Sequence, residues 1–306
     1  MASARDIRRR IKGVKGTGKI TRAMEMISAV KMRKAVASVL AIRPYAKSAI
    51  ELLEQLKWAI GDEERHELLT ERPVIKELYV VITSNRGLCG AFNAQIVKKL
   101  RQTLKEDEAR EKVFITIGKK GESAVRRTGG DIIASFPDVL ATPTAEGMRA
   151  VAKLVIQEFE LKRVDRVVMI YTDYISMLSQ EVKVRALLPV AIKDTKKAMN
   201  DMQSTVSNQR SATQEKELTK SEYVIEPSPK KVLWQMIPRL LEMELYHAVL
   251  ESNASQESAR MMAMRNATDA AKDMVSDLTL AYNQLRQGKI TQEIAELSAG
   301  MAAVQK

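Results

Sequence analysis

The residues from Gly13 to Lys19 read GVKGTGK and match the G-x-x-x-x-G-K part of a phosphate-binding loop. That chemistry also requires a hydroxyl residue directly after the lysine, to bind Mg²⁺, and a buried strand directly before the loop. Here Ile20 follows the lysine, and the basic helical pattern IRRRIK precedes the glycines. We therefore favour a helix that contains glycines and keep a P-loop ATPase as an alternative.

A second glycine-bearing segment, TSNRGLCGAFN at 83–93, follows an apolar strand pattern and opens a helical one. Backbone N–H groups at such a helix start can hold an anion. Gly87 and Gly90 are too few and wrongly spaced for a dinucleotide-binding G-x-G-x-x-G loop. Cys89 could be a nucleophile only if a base approached it, and the two histidines lie in other elements. We favour a simple turn at the end of a strand, with a small buried cysteine.

Basic side chains concentrate near the N-terminus, where residues 1–57 hold fourteen Lys and Arg against four acids. Such a stripe suits phosphates, but no aromatic residue precedes Tyr45 for bases to stack on. An Arg-rich start also resembles an organelle transit peptide, although the same residues continue a long helical pattern. A solvated face or an acidic protein partner is favoured, with nucleic acid as the alternative. The stripe comprises Arg5, Arg8, Arg9, Arg10, Lys12, Lys15, Lys19, Arg22, Lys31, Arg33 and Lys34.

Composition limits the remaining chemistry. The 306 residues carry a formal net charge of +12, with one cysteine and two histidines. A single cysteine excludes an intramolecular disulfide framework and a multi-cysteine metal site. The sequence contains neither an apolar run of 18 residues nor the apolar N-terminal stretch of a secretory signal. We expect a soluble intracellular protein with no metal site, no cofactor and no direct insertion into a bilayer.

Two long helices are predicted at the ends of the chain. The first extends from Ser3 to Trp58, with Pro44 expected to bend or break it, and would be about 85 Å long. The second extends from Pro229 to Val304. A helix of that length cannot be buried in a compact domain, so each helix needs a partner. We predict that they form an antiparallel coiled coil with small residues at the contact.

The apolar spacing within these helices is the basis for that prediction. Positions three and four residues apart would form a seam with a 3.5-residue period. The register is imperfect, because the N-terminal helix contains one seam and then a displaced one. The C-terminal seam comprises Ile290, Ile294, Leu297, Met301 and Val304, the first N-terminal seam Ile7, Ile11 and Val14, and the displaced seam Ile20, Met24 and Ile27.

The middle of the chain alternates strand and helix patterns. Such alternation predicts a mostly parallel, helix-covered sheet, and the short connection between the last two strands predicts an antiparallel hairpin. Strands are expected at 74–84, 112–118, 131–136, 165–174 and 181–190, and helices at 91–105, 119–128 and 144–162. The fold class is thus α/β: a long antiparallel coiled coil of the N- and C-terminal helices plus a central Rossmann-like α/β domain. Its parts are 1–58, 74–200, a polar linker at 201–228, and 229–306.

Four segments together resemble signatures of the gamma subunit of F-type ATP synthase, of bacterial type. They are KITRAMEMISAVKMRKA at 19–35, SNRGLCGAFN at 84–93, ESNASQESARMMAMRNATDAA at 251–271 and YNQLRQGKITQEIAELSAGMAAV at 282–304. The resemblance implies a central rotary stalk that couples proton-driven rotation of the c-ring to ATP synthesis or hydrolysis at the beta subunits. It also implies that the chain is not itself catalytic and needs no cofactor. The partners it implies are three alpha and three beta subunits, the epsilon subunit and the c-ring, without nucleic acid.

The resemblance also assigns contact residues. Arg286 and Gln287 match a pair that hydrogen-bonds to a loop of one beta subunit, and Thr291 lies one turn further along. Met24 and Arg33 are expected to face the lower region of a beta subunit. The tip, formed by Ile294, Leu297, Met301 and Val304, is expected to be held in an apolar sleeve at the top of the ring.

The sequence departs from the family pattern at two places. Asn85 stands where the family usually has Asp, and the glycines at 13, 16 and 18 suggest a softer lower shaft. The cysteine pair by which chloroplast relatives are regulated is absent, since Cys89 is the only cysteine. With no transit peptide ahead of the signature helix, the expected location is peripheral, on the cytoplasmic side of the inner (plasma) membrane.

Overall fold

A computed structural model describes residues 4–60, 67–106, 111–140, 143–190 and 226–304. Within these ranges the chain forms five long or medium helices, five strands and two short 3₁₀ turns at Glu67–Leu69 and Asp138–Leu140. In chain order the elements are α1 (Ala4–Ile60), β1 (Lys76–Ile82), α2 (Phe92–Glu106), β2 (Glu111–Ile117), α3 (Lys119–Arg127), β3 (Asp131–Ser135), α4 (Ala145–Glu160), β4 (Arg166–Tyr174), β5 (Gln180–Leu188) and α5 (Pro229–Val304).

The chain divides into two compact units. The first contains residues 1–29 and 260–306, and the second contains residues 30–259. Both long helices contribute residues to both units. The predicted linker at 201–228 lies outside the described residues except for its last three positions.

The second unit is built on a five-stranded sheet in the order β3-β2-β1-β4-β5. The first four strands pair in parallel, and β5 pairs with β4 antiparallel. This confirms the predicted parallel sheet and its terminal hairpin. The central strands β1 and β4 are buried along nearly their whole length, because helices cover both faces of a parallel sheet.

Two apolar clusters lie on opposite faces of the sheet. Since successive side chains of a strand alternate between faces, Leu78 and Val80 of β1 join one cluster while Tyr79 and Val81 join the other. The first cluster packs against α4 and the beginning of α5, and the second packs against α2 and α3. Gly118 closes the loop after β2 with φ +102°, and a Cβ there would lie 2.1 Å from the Thr83 carbonyl oxygen. Only glycine fits at this crossing.

In the first unit, α1 and α5 run antiparallel. A Cβ built on Gly18 would lie 3.4 Å from the Ala271 Cβ, and the hydroxyl oxygens of Thr21 and Thr268 are 2.7 Å apart. Moving three residues forward on α1 therefore moves three residues back on α5. The predicted antiparallel pairing and its small contact residues are both confirmed.

The seam of α1 agrees with the predicted one at Ile7, Ile11 and Val14 and differs from it after Val14. Seven of its buried or half-buried positions in the first unit follow a seven-residue period, namely Ile7, Ile11, Val14, Gly18, Thr21, Glu25 and Ser28. Ile20 and Ile27, which were expected to form a displaced seam, are 63% and 56% exposed. That expectation is wrong because the true seam passes through hydroxyl residues, which do not register as apolar. The Thr21 hydroxyl is accommodated there by hydrogen bonds to the Gly18 carbonyl and to Thr268.

On α5 the same alternation of three- and four-residue steps continues through the first unit. The positions are Met261, Met264, Thr268, Ala271, Val275, Leu278 and Tyr282, all buried or half-buried. Nearer the start of the helix, in the second unit, Ser252 and Ser255 bind the sheet. The Thr172 amide donates to the Ser252 hydroxyl at 3.1 Å, and the Ser255 hydroxyl donates to the Thr172 carbonyl at 3.4 Å. Of the two outcomes expected at Pro44, a bend or a break, the break does not occur, since α1 continues through this residue.

Candidate functional site

The end of α5 presents an apolar stripe to solvent. Ile290, Ile294, Leu297 and Met301 are 47%, 59%, 70% and 66% exposed. Val304 continues the spacing as the last residue of the helix, but its side chain lies outside the described part. A line of large apolar side chains left in water marks an interaction surface.

The geometry of the helix pair explains why this stripe is uncovered. Extending the register of Gly18 and Ala271 back to Ala4, where α1 begins, brings the start of α1 opposite residues near Leu285. Beyond that point α1 supplies no residue to cover α5. The sequence interpretation of Ile290–Met301 as part of the intramolecular coiled coil is therefore wrong. The stripe also departs from the seam by one to two residues, which turns it by roughly 100–200° around the helix.

Arg286, Gln287 and Thr291 lie just before this stripe, and all three are exposed on α5. The Thr291 hydroxyl donates to the Gln287 carbonyl at 3.0 Å, so it is held against its own helix. Gln287 also lines a shallow groove with other residues of the same helix, namely Ser276, Thr279, Leu280, Asn283 and Gln284. The structure thus brings the three predicted contact residues together within about one and a half turns.

The two predicted contact residues of α1 differ in burial. Met24, in the first unit, is half-buried, whereas Arg33, in the second unit, is exposed. The exposed apolar surface near Met24 is formed instead by Ile20, Met26 and Ile27. Sequence reasoning missed this surface because it placed Ile20 and Ile27 in the helix-pairing seam.

The two glycine-bearing motifs have different local structures. Residues 13–19 are helical throughout, and the Thr17 hydroxyl donates to the Gly13 carbonyl at 3.2 Å, so the P-loop alternative is wrong. In the 83–93 segment the polar groups bind one another. The Asn93 amide donates to the Ser84 hydroxyl at 2.7 Å and to the buried Cys89 sulfur at 3.1 Å. The favoured interpretation as a packed turn is confirmed.

Asn85 uses both ends of its amide. Its Nδ2 donates to the Pro137 carbonyl at 2.6 Å, and its Oδ1 accepts from the Lys119 amide at 3.0 Å. An aspartate at this place could accept but could not donate. The residue therefore ties the turn after β1 to the segment that follows β3 and to the start of α3.

Two negative findings concern the described residues only. No group of three or more His, Cys, Asp and Glu there could hold a metal ion. No helix in that part of the chain is long and apolar enough to cross a membrane.

A cluster of charged groups lies between α5 and the β4–β5 hairpin, and sequence reasoning missed it. Glu251 and His247 of α5 and Asp173 of β4 are all buried. The Lys183 ammonium forms an ion pair with the Asp173 carboxylate. Burial raises the pKa of Glu251 well above its ordinary value, and the neighbouring charge of Asp173 raises it further. No motif signals the cluster, because its members are far apart in the chain.

Comparison with known proteins finds one family along nearly the whole chain. A family model described as ATP synthase matches residues 3–304. The chain is 39% identical to an ATP synthase gamma chain of Herpetosiphon aurantiacus, with 99% of both chains covered. It is 37% identical to the one of Pelotomaculum thermopropionicum, with 100% of both covered, and 38% identical to the one of Moorella thermoacetica, with 99% of this chain and 100% of that one covered.

Solved structures share the fold at lower identity. A Euglena gracilis mitochondrial ATP synthase, described as OSCP/F1/c-ring in rotational state 3, contains a chain with 20% identity and a TM-score of 0.65. The match covers 98% of this chain and 94% of that one. A chain in the central stalk/c-ring structure of the Tetrahymena thermophila enzyme has 23% identity and a TM-score of 0.57, with 81% and 99% covered.

Proposed function

The chain belongs to the ATP synthase gamma-chain family, and from that membership we propose that it forms the central rotary stalk of an F-type ATP synthase. In this role it couples proton-driven rotation of the c-ring to ATP synthesis or hydrolysis at the beta subunits. The observation that carries the proposal is the tip of α5, which extends beyond the start of α1 with its apolar stripe exposed.

The stalk itself does no chemistry, because catalysis takes place on the beta subunits. A single chain has no three-fold symmetry, so three beta subunits around it would each meet a different face. Each contact biases the conformational equilibrium of its beta subunit by the difference in contact free energy. Rotation of the stalk then changes the nucleotide affinity of each site in turn, which is a coupling free energy between sites.

Five side chains are proposed to contact beta subunits: Met24, Arg33, Arg286, Gln287 and Thr291. Four of them are exposed and Met24 is half-buried, which supports their use in contacts outside the chain. Arg286 carries a fixed positive charge with several N–H donors, and Gln287 has both a donor and an acceptor. Together they suit a loop that bears carboxylate and hydroxyl groups.

We further propose that the alpha and beta subunits, three of each, surround Ile294, Leu297, Met301 and Val304 with an apolar sleeve. Full burial of an isoleucine contributes roughly 1.5–3 kcal/mol. Since 59% of Ile294 is still exposed, closing a sleeve around it would contribute on the order of 1–2 kcal/mol. The epsilon subunit and the c-ring are proposed as partners of the sheet-containing unit.

The proposed location is peripheral, at the cytoplasmic side of the inner (plasma) membrane, where the assembled complex would hold the chain. The bacterial sources of its gamma-chain relatives support this assignment. Cell fractionation tests this location directly: the chain is measured in the membrane and soluble fractions of cells with and without the c-ring subunit. Recovery in the soluble fraction even when the c-ring is present would contradict it.

Reconstitution tests the function itself. The purified chain, alone, should not hydrolyse ATP, whereas its addition to alpha and beta subunits should produce hydrolysis that depends on it. Ile294→Asp should weaken assembly, because burial of an unpaired carboxylate costs several kcal/mol. Gln292→Asp is the matched control, since Gln292 lies on the other side of the helix and contacts Glu296. Normal assembly of the Ile294→Asp variant would refute the sleeve.

A further inference from the structure

Glu251 is a carboxylic acid enclosed between a long helix and a sheet. It belongs to α5, only 4% of its surface is exposed, and its side chain is hydrogen-bonded to that of Asp173 on β4. Asp173 is itself 3% exposed. Both residues belong to the unit of residues 30–259, so the contact lies within one compact body.

Charged groups face this pair from β5 and from α5 itself. Lys183 on β5 forms the ion pair with Asp173, and Arg185 lies two residues further along. On α5, the His247 Nδ1 atom is 3.5 Å from the Glu251 Oε2 atom.

The second cation of β5 has other neighbours as well. The Arg185 Nη1 atom is 3.5 Å from the Oε1 atom of Glu244 on α5, and its guanidinium lies over the ring of Tyr171 at 5.7 Å. Burial and then the charge of Glu251 raise the pKa of the Tyr171 hydroxyl, so this group remains neutral. The cluster therefore contains three carboxyl groups, two fixed cations and one imidazole.

A hydrogen bond between two carboxyl groups requires one proton. If both were ionised, two like charges would be in contact in a site with little water to screen them. We propose that Asp173 and Glu251 bind one proton at neutral pH, located on Glu251, and that this proton fastens α5 to the β4–β5 hairpin. Burial and the charge of Asp173 raise the pKa of Glu251, whereas the charges of Arg185 and Lys183 lower it less strongly.

The surrounding contacts place this proton where α5 is attached to β4. Ser252, the next residue of α5, accepts a hydrogen bond from the Thr172 amide, and Thr172 directly precedes Asp173. Loss of the proton creates two facing carboxylates at the place where the helix is bound to the strand. An effect of this proton on rotary coupling rests on the proposed function, whereas the proton site exists in the free chain whatever its role.

Infrared spectroscopy of the full chain, with isotope-labelled glutamate, tests the site. The wild-type chain should have a protonated-glutamate C=O band at neutral pH that disappears as the pH rises, and Glu251→Gln should lack it. Asp173→Asn removes the charge that disfavours ionisation, so in that variant the band should disappear at lower pH. If the wild-type chain and Glu251→Gln have the same band at neutral pH, Glu251 does not carry the proton and the proposal is overturned. A proton found on His247 instead would also overturn it.

Urea unfolding between pH 5 and pH 9 gives an independent measure. The pKa of Glu251 is higher in the folded than in the unfolded chain, so the folded chain holds an extra proton between the two values. Stability must therefore fall as the pH rises through this window, by up to tenfold in the unfolding equilibrium constant per pH unit. Glu251→Gln should remove that part of the slope. Glu158→Gln is the control: its buried carboxylate pairs with Arg163 at 3.0 Å, so the slope should remain. An unchanged slope in Glu251→Gln would overturn the proposal.

The rotary consequence is tested separately in the reconstituted complex. The wild-type complex should lose ATP-driven proton pumping at alkaline pH, whereas the Glu251→Gln complex should keep it. If the infrared band titrates as expected but coupling is equal in both complexes, the proposed effect on rotary coupling is refuted and the proton site is not. If the complex does not assemble at all, the proposed function fails instead.

Discussion

Replacement of Gly13 and Gly16 by alanine should stiffen the beginning of α1. Both residues lie inside the helix, and a Cβ added at either would meet no atom within 4 Å. The only effect is then on the backbone, because alanine loses less conformational entropy than glycine when the helix forms. Gly18 differs, because its Cβ would touch Ala271 at 3.4 Å.

The expected change in local helix stability differs between the three positions because the space around them differs. Each free glycine should contribute about 0.8–1 kcal/mol on replacement by alanine, so the Gly13→Ala/Gly16→Ala variant should stabilise this stretch by about 2 kcal/mol. That difference corresponds to roughly a thirtyfold change in the local opening equilibrium. Gly18→Leu should instead destabilise the helix pair by about 1–3 kcal/mol, because the larger side chain has no space beside Ala271.

Amide hydrogen exchange of the full chain, followed by mass spectrometry of peptides from the first 25 residues, measures this local stability. The double alanine variant should exchange more slowly there, and Gly18→Leu more rapidly. Gly288→Ala is the control, since Gly288 also has no atom within 4 Å but lies on α5. The Gly288→Ala variant should slow amide exchange only in peptides from α5. Equal exchange in wild-type and double-variant peptides would refute the reasoning, as would slower exchange in Gly18→Leu.

Three further outcomes are expected. Thr21→Val should lower the free energy of unfolding by about 0.5–1.5 kcal/mol, because it removes the hydrogen bond to Thr268. The double variant with Thr268→Val should lose less stability than the two single variants added together. Urea unfolding of all three variants measures both effects. Thr144→Ala should destabilise α4 by about 1 kcal/mol, since the Thr144 hydroxyl caps the Gly147 amide at 3.1 Å; faster exchange of α4 amides is the readout, and unchanged exchange would contradict it. Arg286→Ala should weaken beta-subunit binding in the reconstituted complex while leaving the folding of the free chain unchanged, by binding titration and circular dichroism; a loss of helix in the free chain would contradict a pure contact role.

The strand and helix patterns of the middle segment were sufficient to predict all five strands of the sheet. Runs such as LYVVI in β1 and VVMIY in β4 are apolar without interruption, which is typical of strands buried on both faces. The short connection between β4 and β5 was likewise sufficient for their antiparallel pairing. The contact residues Arg286 and Gln287 came from resemblance, since nothing in their local pattern indicates a partner.

The pairing of the long helices was less predictable, because a seam can contain any residue that is small or internally satisfied. Thr21 and Ser28 are polar by composition yet buried, whereas Ile20 and Ile27 are apolar yet exposed. A pattern search for apolar residues therefore found the covered face of α1 at Ile7, Ile11 and Val14, but it chose the wrong face at Ile20 and Ile27. The seven-residue period is present in the sequence, but only the contact between Gly18 and Ala271 identifies which residues follow it.

By itself the sequence determined the local states: which segments are helices, which are strands, and that the two ends are too long to remain unpaired. Those properties depend on spacing and on backbone preference, which act over a few residues. Only the tertiary structure decided which face of each helix is covered, that the stripe from Ile290 to Met301 is not, and that Glu251 meets Asp173. These outcomes depend on the register between distant segments, and burial changes both the exposure and the protonation of a side chain without leaving any local signature.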